Sequence, residues 1–384
     1  MRALVIGFGI SGQGAAKLLL KQGYEVLAID REPRIVGEIE VFPEDAPIYR
    51  IDLTVLSSGI PRNHPQAKGN VIGEAELALR YLKNRIIGIT GTNGKTTLTL
   101  LITHVLNKVG IPARALGNVG ISLAEYACNP KPKETLVVEL SSYQLETMET
   151  KAFDLGIITN ITPDHLDRYP SFEAYAKAKY RLKDLIKEGG VCIEGDSYLQ
   201  LTENERYWKL IGHDTVKNAW VICQRLGVKL KEFNQALESF EKPPHRMEFV
   251  GIINGVRWIN DSKGTNVDSV LYGILQLSGP IFLIAGGKSK GTSFKEWKKG
   301  FSGRVKGIFA IGETAKQIEE ELEDDFPIWQ CGTLEVAVEK ARELALYGDT
   351  VLLSPGCASF DQFRDYKERG EKFREYISNI GNTR

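Results

Sequence analysis

Short apolar runs alternate with amphipathic stretches along most of this chain, and their spacing predicts a repeated strand–helix rhythm. Residues 2–6 and 25–29 are mostly apolar, residues 12–20 carry apolar side chains at helical spacing, and another apolar run covers 53–57. That order implies a small parallel sheet covered by helices. A second series starts with a buried strand at 85–89 and an amphipathic helix at 95–109. It continues with strands at 135–139 and 155–159 and helices around 172–186 and 217–226. Pro243-Pro244 then breaks the pattern. The third series opens with two short strands around Asn254-Gly255, a two-residue hairpin signal. Strands at 281–285, 308–311 and 350–353 follow, with helices between. The expectation is an α/β chain of three units, with boundaries near residues 84 and 243. No internal repeat is visible, and the acidic run 319–325 reads as a solvated helix face.

One junction in this pattern carries most of the chemistry. Between the strand at 85–89 and the helix at 95–109 stands Thr90-Gly91-Thr92-Asn93-Gly94-Lys95-Thr96-Thr97. A glycine-rich turn there points backbone N–H groups and the positive helix end at one spot, suited to phosphate. Lys95 adds a point charge for the outer phosphates and Thr96 a hydroxyl for Mg²⁺. The strict phosphate-loop pattern places a glycine where this chain has Ile89, so this is a tighter variant. The loop implies a bound nucleoside triphosphate.

Other junctions are less specific. Gly7-Phe8-Gly9-Ile10-Ser11-Gly12 lies between strand and helix, and Asp30 ends the next strand. This suits a dinucleotide or any other pyrophosphate-linked nucleotide. An NAD-dependent oxidoreductase would explain these residues but leaves the loop at Lys95 unexplained. Glu139 ends a buried strand, where it either ligates Mg²⁺ beside Thr96 or caps the following helix. His165, between Asp164 and Asp167, is a ligand or a structural residue. Lys179, in a stretch rich in Lys and Ala, reads on composition as an ordinary surface lysine. His245-Arg246 and Asp261-Ser262-Lys263-Gly264-Thr265-Asn266 suit ribose and phosphate contacts or are charged turns. The turn from Ser354 to Phe363 suits a carboxylate at a helix start.

Composition narrows the classes. Lys plus Arg and Asp plus Glu both number 49, so the net charge is +0 and nothing points to nucleic acid or an anionic membrane surface. The five cysteines lack metal or redox spacing and read as free thiols. The opening residues enter an apolar strand without a cleavable signal, and no long apolar stretch follows, so a cytoplasmic location is expected.

Gly91–Thr97, Asn118, Glu139–Ser142, Asp164–Tyr169, His245-Arg246, Trp258–Asn266 and Ser354–Phe363 stand in the order found in the Mur ligase family. The chain resembles that family from Gly7 to Phe373, nearly its whole length. The resemblance implies an N-terminal Rossmann-like domain for the UDP substrate (residues 1–84) and a central P-loop ATPase domain with a mostly parallel sheet (85–243). A C-terminal Rossmann-like domain (244–384) would take the amino acid. It implies an ATP-dependent amide-bond-forming ligase of peptidoglycan precursor synthesis. The pattern is most similar to members that join D-glutamate to UDP-N-acetylmuramoyl-L-alanine through an acyl phosphate.

By the same resemblance, Lys95 and Arg246 face the phosphates of ATP held by Gly91, Thr92, Asn93, Gly94, Thr96 and Thr97. Asn218 meets the adenine and Asp261 the ribose. Thr96 and Glu139 hold one Mg²⁺, and His165 and a carbamylated Lys179 hold a second. Asn118 contacts the substrate, and Ser11, Asp30, Arg31 and Gly59 hold its UDP end. Thr265, Lys288, Ser359 and Tyr366 hold D-glutamate, and the protein is expected to be a monomer. Tyr366 replaces a common Phe, and the stretch between Leu185 and Asn218 looks short, with residues 203–209 unusually polar. No Asp-Asn-Pro-Arg motif of the diaminopimelate- or lysine-adding relatives is present. Folylpolyglutamate synthases share the loop variant but would not need the glycine-rich N-terminal domain.

Overall fold

The computed structural model describes residues 1–166, 168–195 and 213–382. Asp167 and the polar stretch 203–209 lie outside the described residues. The fold is mixed α/β with three mostly parallel sheets. Contacts divide it into two compact units, residues 1–161 with 173–240, and residues 162–172 with 241–384.

The first unit holds two sheets. One contains β1 (Arg2–Ile6), β2 (Glu25–Asp30), β3 (Arg34–Val36), β4 (Ile39–Pro43), β5 (Leu53–Leu56) and β6 (Val71–Gly73), in the order β3-β4-β2-β1-β5-β6. The other contains β7 (Ile86–Thr90), β8 (Ala113–Gly117), β9 (Thr135–Glu139), β10 (Phe153–Ile158) and β11 (Ile186–Glu194), all parallel, in the order β11-β10-β7-β9-β8. Alternate residues of β7 enter different cores, Ile86 with the first sheet and Ile87 and Ile89 on the opposite face. Burial on both faces is why these strands read as continuous apolar runs. The opposite core is closed by helices Lys95–Lys108, His213–Arg225 and Leu230–Leu237.

The boundary expected near residue 84 falls between two sheets that share a core. Leu18 and Leu19 from helix Ile10–Lys21, Leu77 from helix Glu74–Leu79 and Ala124 from helix Leu123–Ala127 pack with Val138 and Phe153 of the second sheet. Gly14 permits the close approach, since a Cβ there would lie 2.4 Å from Ser122 Oγ.

The second unit contains β12 (Glu248–Ile253), β13 (Val256–Asn260), β14 (Ile281–Gly286), β15 (Val305–Ile311), β16 (Ile328–Gly332) and β17 (Thr350–Leu353), in the order β12-β13-β17-β14-β15-β16. Only the β12–β13 pair is antiparallel, and it turns at Asn254 and Gly255. Their φ values of 52° and 78° are the left-handed pair that a type I′ hairpin needs.

The helix expected across 172–186 ends at Tyr180, where a 3₁₀ turn, Arg181–Leu185, leads into β11. β11 was not legible as a strand because it lies at a sheet edge and several of its residues, such as Glu188 and Gly189, face solvent. The edge strands β3 and β6 have only three residues each, too few to show a pattern.

Candidate active site

In the first unit the phosphate loop leaves β7 at Thr90 and enters the helix Lys95–Lys108. Gly91 and Gly94 bracket the turn at φ 138° and 83°, values that side chains with a Cβ rarely adopt. No side chain caps the helix start, so its first N–H groups are placed for an anion. Lys95 Nζ donates to the carbonyls of Gly91 at 2.9 Å and Thr92 at 2.8 Å, folded back over the loop.

Glu139 ends β9 in register with Ile89 on one side and Gly117 on the other. It does not cap the next helix. Ser141 does, with its Oγ accepting from Gln144 N–H while Gln144 Oε1 accepts from Ser141 N–H. Glu139 Oε2 is left buried without a hydrogen-bond partner. Asn118 follows β8 and donates its N–H to the Glu139 carbonyl at 3.0 Å. Glu139, Asn118 and the loop thus gather at the carboxyl ends of parallel strands, where α/β sheets place ligands. The orphaned carboxylate oxygen of Glu139 is a hard donor of the kind that fits Mg²⁺, and the Thr96 hydroxyl would be a second of the same chemistry. Among the described residues no three His, Cys, Asp or Glu side chains cluster as a metal cage, so phosphate and water would complete the shell.

Lys179 corrects the reading from composition. It is 2% exposed, and its Nζ donates to the Gly91 carbonyl at 2.6 Å. Tyr175, one helical turn earlier, lies under that ammonium and meets Thr92 Oγ1 at 3.2 Å. Asn218 is buried in helix His213–Arg225, and Thr215 of the same helix would lie 3.8 Å from a Cβ on Gly94.

On the first sheet, Ser11 Oγ meets Ser58 Oγ at 3.2 Å, which brings the glycine-rich turn beside the exposed Gly59. Asp30 supports this turn by accepting from the N–H of Phe8 and, at 3.3 Å, from Glu32. Arg31 is 86% exposed and pairs with Glu44 at 3.5 Å. A small cleft adjoins these residues, lined by Ser57, Ser58, Gly73, Glu74, Gln144 and Thr147. Sequence reading missed it because its walls come from both sheets of the first unit.

In the second unit, residues 261–266, 287–290 and 354–359 follow the carboxyl ends of β13, β14 and β17. Asp261 is buried, and Ser354 Oγ and Met247 N–H donate to it. Burial raises its carboxyl to about 6 against those bonds and the nearby charges of Arg246 and Lys242. His245, buried at φ 64°, has its ring nitrogen Nδ1 3.0 Å from Asn260 Nδ2, and burial lowers its pKa. Lys263 Nζ sits over the Tyr366 ring at 4.1 Å.

Lys288 and Ser359 are neighbours, since Lys288 N–H donates to the Ala358 carbonyl. The Lys288 ammonium, however, is exposed and paired with Glu313 at 2.6 Å. Lys290, which sequence reading passed over, is partly buried and donates to the buried Asp164 at 3.1 Å. Asn266 donates to the other Asp164 oxygen at 3.2 Å, and His165 Nε2 stands 3.7 Å from it. Burial alone would raise Asp164, but Lys290, His165 and Asn266 hold it below the usual carboxylate range. His165 itself adopts φ 56°. Thr265, half-buried, stands beside Asn266. Arg369 ties these turns together, donating to Ser262 Oγ at 3.0 Å and to the carbonyls of Ser262 and Cys357.

Comparison with known proteins agrees with these motifs. Residues 89–253 match the family described as Mur ligase middle domain, and residues 245–357 match Mur ligase, glutamate ligase domain. The UDP-N-acetylmuramoylalanine–D-glutamate ligase of Protochlamydia amoebophila is 40% identical, with 98% of this chain and 97% of that protein covered. The Aquifex aeolicus protein of the same name is 37% identical, with 98% of each covered. Among solved structures, the UDP-N-acetylmuramate-alanine ligase of Thermotoga maritima superposes with a TM-score of 0.61 at 16% identity over 99% of this chain and 100% of its own. A bifunctional folylpolyglutamate synthase/dihydrofolate synthase from Yersinia pestis reaches 0.56 at 15% identity over 80% of this chain and 92% of its own. At such identities the likeness is one of fold.

Proposed function

Because this chain belongs to the Mur ligase family, we propose that it joins D-glutamate to UDP-N-acetylmuramoyl-L-alanine with conversion of ATP to ADP and phosphate. It is an ATP-dependent amide-bond-forming ligase of peptidoglycan precursor synthesis. The observation that carries the ATP half is the orphaned Glu139 oxygen beside a glycine-bracketed loop with Lys95 folded over it. The choice of substrates rests on the full-length relatives that bear that activity in their names.

The chemistry asked of these residues is mostly positioning and charge neutralisation. The substrate carboxylate attacks the γ-phosphorus, giving an acyl phosphate and ADP, and the D-glutamate amine then displaces phosphate. Lys95 swings from the loop carbonyls to the transferring phosphoryl group, while the helix N–H groups hold the neighbouring oxygens. Mg²⁺, held by Thr96 and Glu139, would neutralise phosphate charge when bound. Lys179 is read as a carbamate, which replaces a buried cation by an anionic oxygen donor. Among the amino-acid contacts we add Lys290 to Lys288, since its ammonium is the one directed inward to Asp164. The roles of Asn118, Asn218, Arg246, Asp261 and His165 rest on the resemblance.

Phosphate release from ATP, measured with each UDP-muramoyl precursor paired with each candidate amino acid, tests this. Release only with UDP-N-acetylmuramoyl-L-alanine and D-glutamate is expected. Turnover with a folate and L-glutamate, and none with D-glutamate, would overturn it.

A further inference from the structure

The end of β10 grips the phosphate loop more closely than strand pairing requires. Thr92 N–H donates to the Asn160 carbonyl at 2.8 Å, and Asn93 N–H donates to Asn160 Oδ1 at 2.9 Å. Asn160 Nδ2 donates back to the Asn93 carbonyl at 3.2 Å, and Thr159 Oγ1 donates to that carbonyl at 2.7 Å. Asn160 therefore reads both sides of residue 93, its N–H and its C=O, with one amide. Gly91 completes the seat, since a Cβ there would lie 2.0 Å from Thr159 Oγ1.

A loop bracketed by two left-handed glycines has little stiffness of its own, because glycine leaves φ and ψ open to many states. The side chains of Thr159 and Asn160 supply the missing constraint. They also sort the donors. The N–H groups of Thr92 and Asn93 are turned to Asn160, whereas those at the start of helix Lys95–Lys108 lack intrahelical partners.

We propose that Asn160, assisted by Thr159, is a positioning residue that presets the phosphate loop for ATP. It acts on the nucleotide through the Asn93 peptide. The inference rests on the reading of Gly91–Thr97 as the ATP site, and the test separates the two. ATP dissociation constants, kcat, the three KM values and the thermal midpoint are measured for Asn160→Ala, Asn160→Asp, Thr159→Val and Thr159→Ser. Asn160→Ala is expected to weaken ATP about tenfold, the effect of losing a hydrogen-bonded partner to a buried group, with the other two KM values within about twofold of wild type. Asn160→Asp should be no better, because it keeps the acceptor for Asn93 N–H but sets a carboxylate oxygen against the Asn93 carbonyl. Thr159→Val removes the hydroxyl donor and should follow Asn160→Ala, whereas Thr159→Ser keeps it and should bind ATP like wild type. Wild-type ATP affinity in folded Asn160→Ala and Asn160→Asp would overturn the proposal. So would a parallel rise in all three KM values with a lowered thermal midpoint. A wild-type protein that binds no ATP would instead sink the reading of the loop itself.

Discussion

Lys95 and Lys179 meet at one atom, for both ammonium groups donate to the Gly91 carbonyl. Two like charges on one acceptor repel, and a carbamate on Lys179 would turn that repulsion into attraction. Lys179→Arg keeps the charge but cannot be carbamylated, so it should be as inactive as Lys179→Ala. Short carboxylic acids should restore part of the alanine variant's turnover by filling the vacated oxygen position. Normal turnover by the arginine variant would return Lys179 to being a cation. Lys95→Ala should lower turnover about a hundredfold or more while the thermal midpoint stays, because on the proposed reading its charge meets the transferring phosphoryl group. Turnover close to wild type in that variant would exclude this loop as the ATP site. At this scale Lys95 and Glu139 were legible from the strand ends they follow. The burial of Lys179 was not, because it depends on Gly91, distant in the chain.

Between elements, the helix Glu74–Leu79 docks on the helix Leu123–Ala127 through one carboxyl. Glu74 is 2% exposed and accepts from Ala124 N–H at 2.6 Å. Burial raises it to about 7, against the pull of Ala124 and Ser122. The folded state therefore holds this proton more tightly than the unfolded chain, whose value is near the ordinary 4.5. Stability from this group is greatest below 4.5 and falls as pH rises through about 7. Glu74→Gln keeps an acceptor for Ala124 and cannot ionise. Its thermal midpoint relative to wild type should rise between about pH 5 and about pH 8. A constant difference across that range would show that burial does not govern the ionisation of Glu74.

Over the whole molecule, the sharing of one core by the first two sheets has a measurable consequence. A ligand stabilises whatever cooperative unit holds it, by about 2.7 kcal/mol at a hundred times its dissociation constant. Calorimetry should show a non-hydrolysable ATP analogue and the UDP substrate raising the same transition, that of residues 1–161 with 173–240. D-Glutamate should raise the other. Separate transitions for ATP and UDP substrate would mean that the shared core does not couple the two sheets.

The resemblance read from the motifs is borne out by the two family matches and the full-length relatives. Those motifs were legible because each is a contiguous junction. A buried strand shows as an apolar run, a left-handed turn as glycine, and a helix as its period, all within a few residues. Tertiary structure decided what distant segments supply. It turned Lys290 inward to Asp164 and Lys288 outward to Glu313, although the two lie on one short loop. It set Asn160 on Asn93 and drew residues 162–172 away from their sequence neighbours into the second unit. Such partners leave no trace in local periodicity, because burial and pairing depend on which surfaces meet after the sheets have formed.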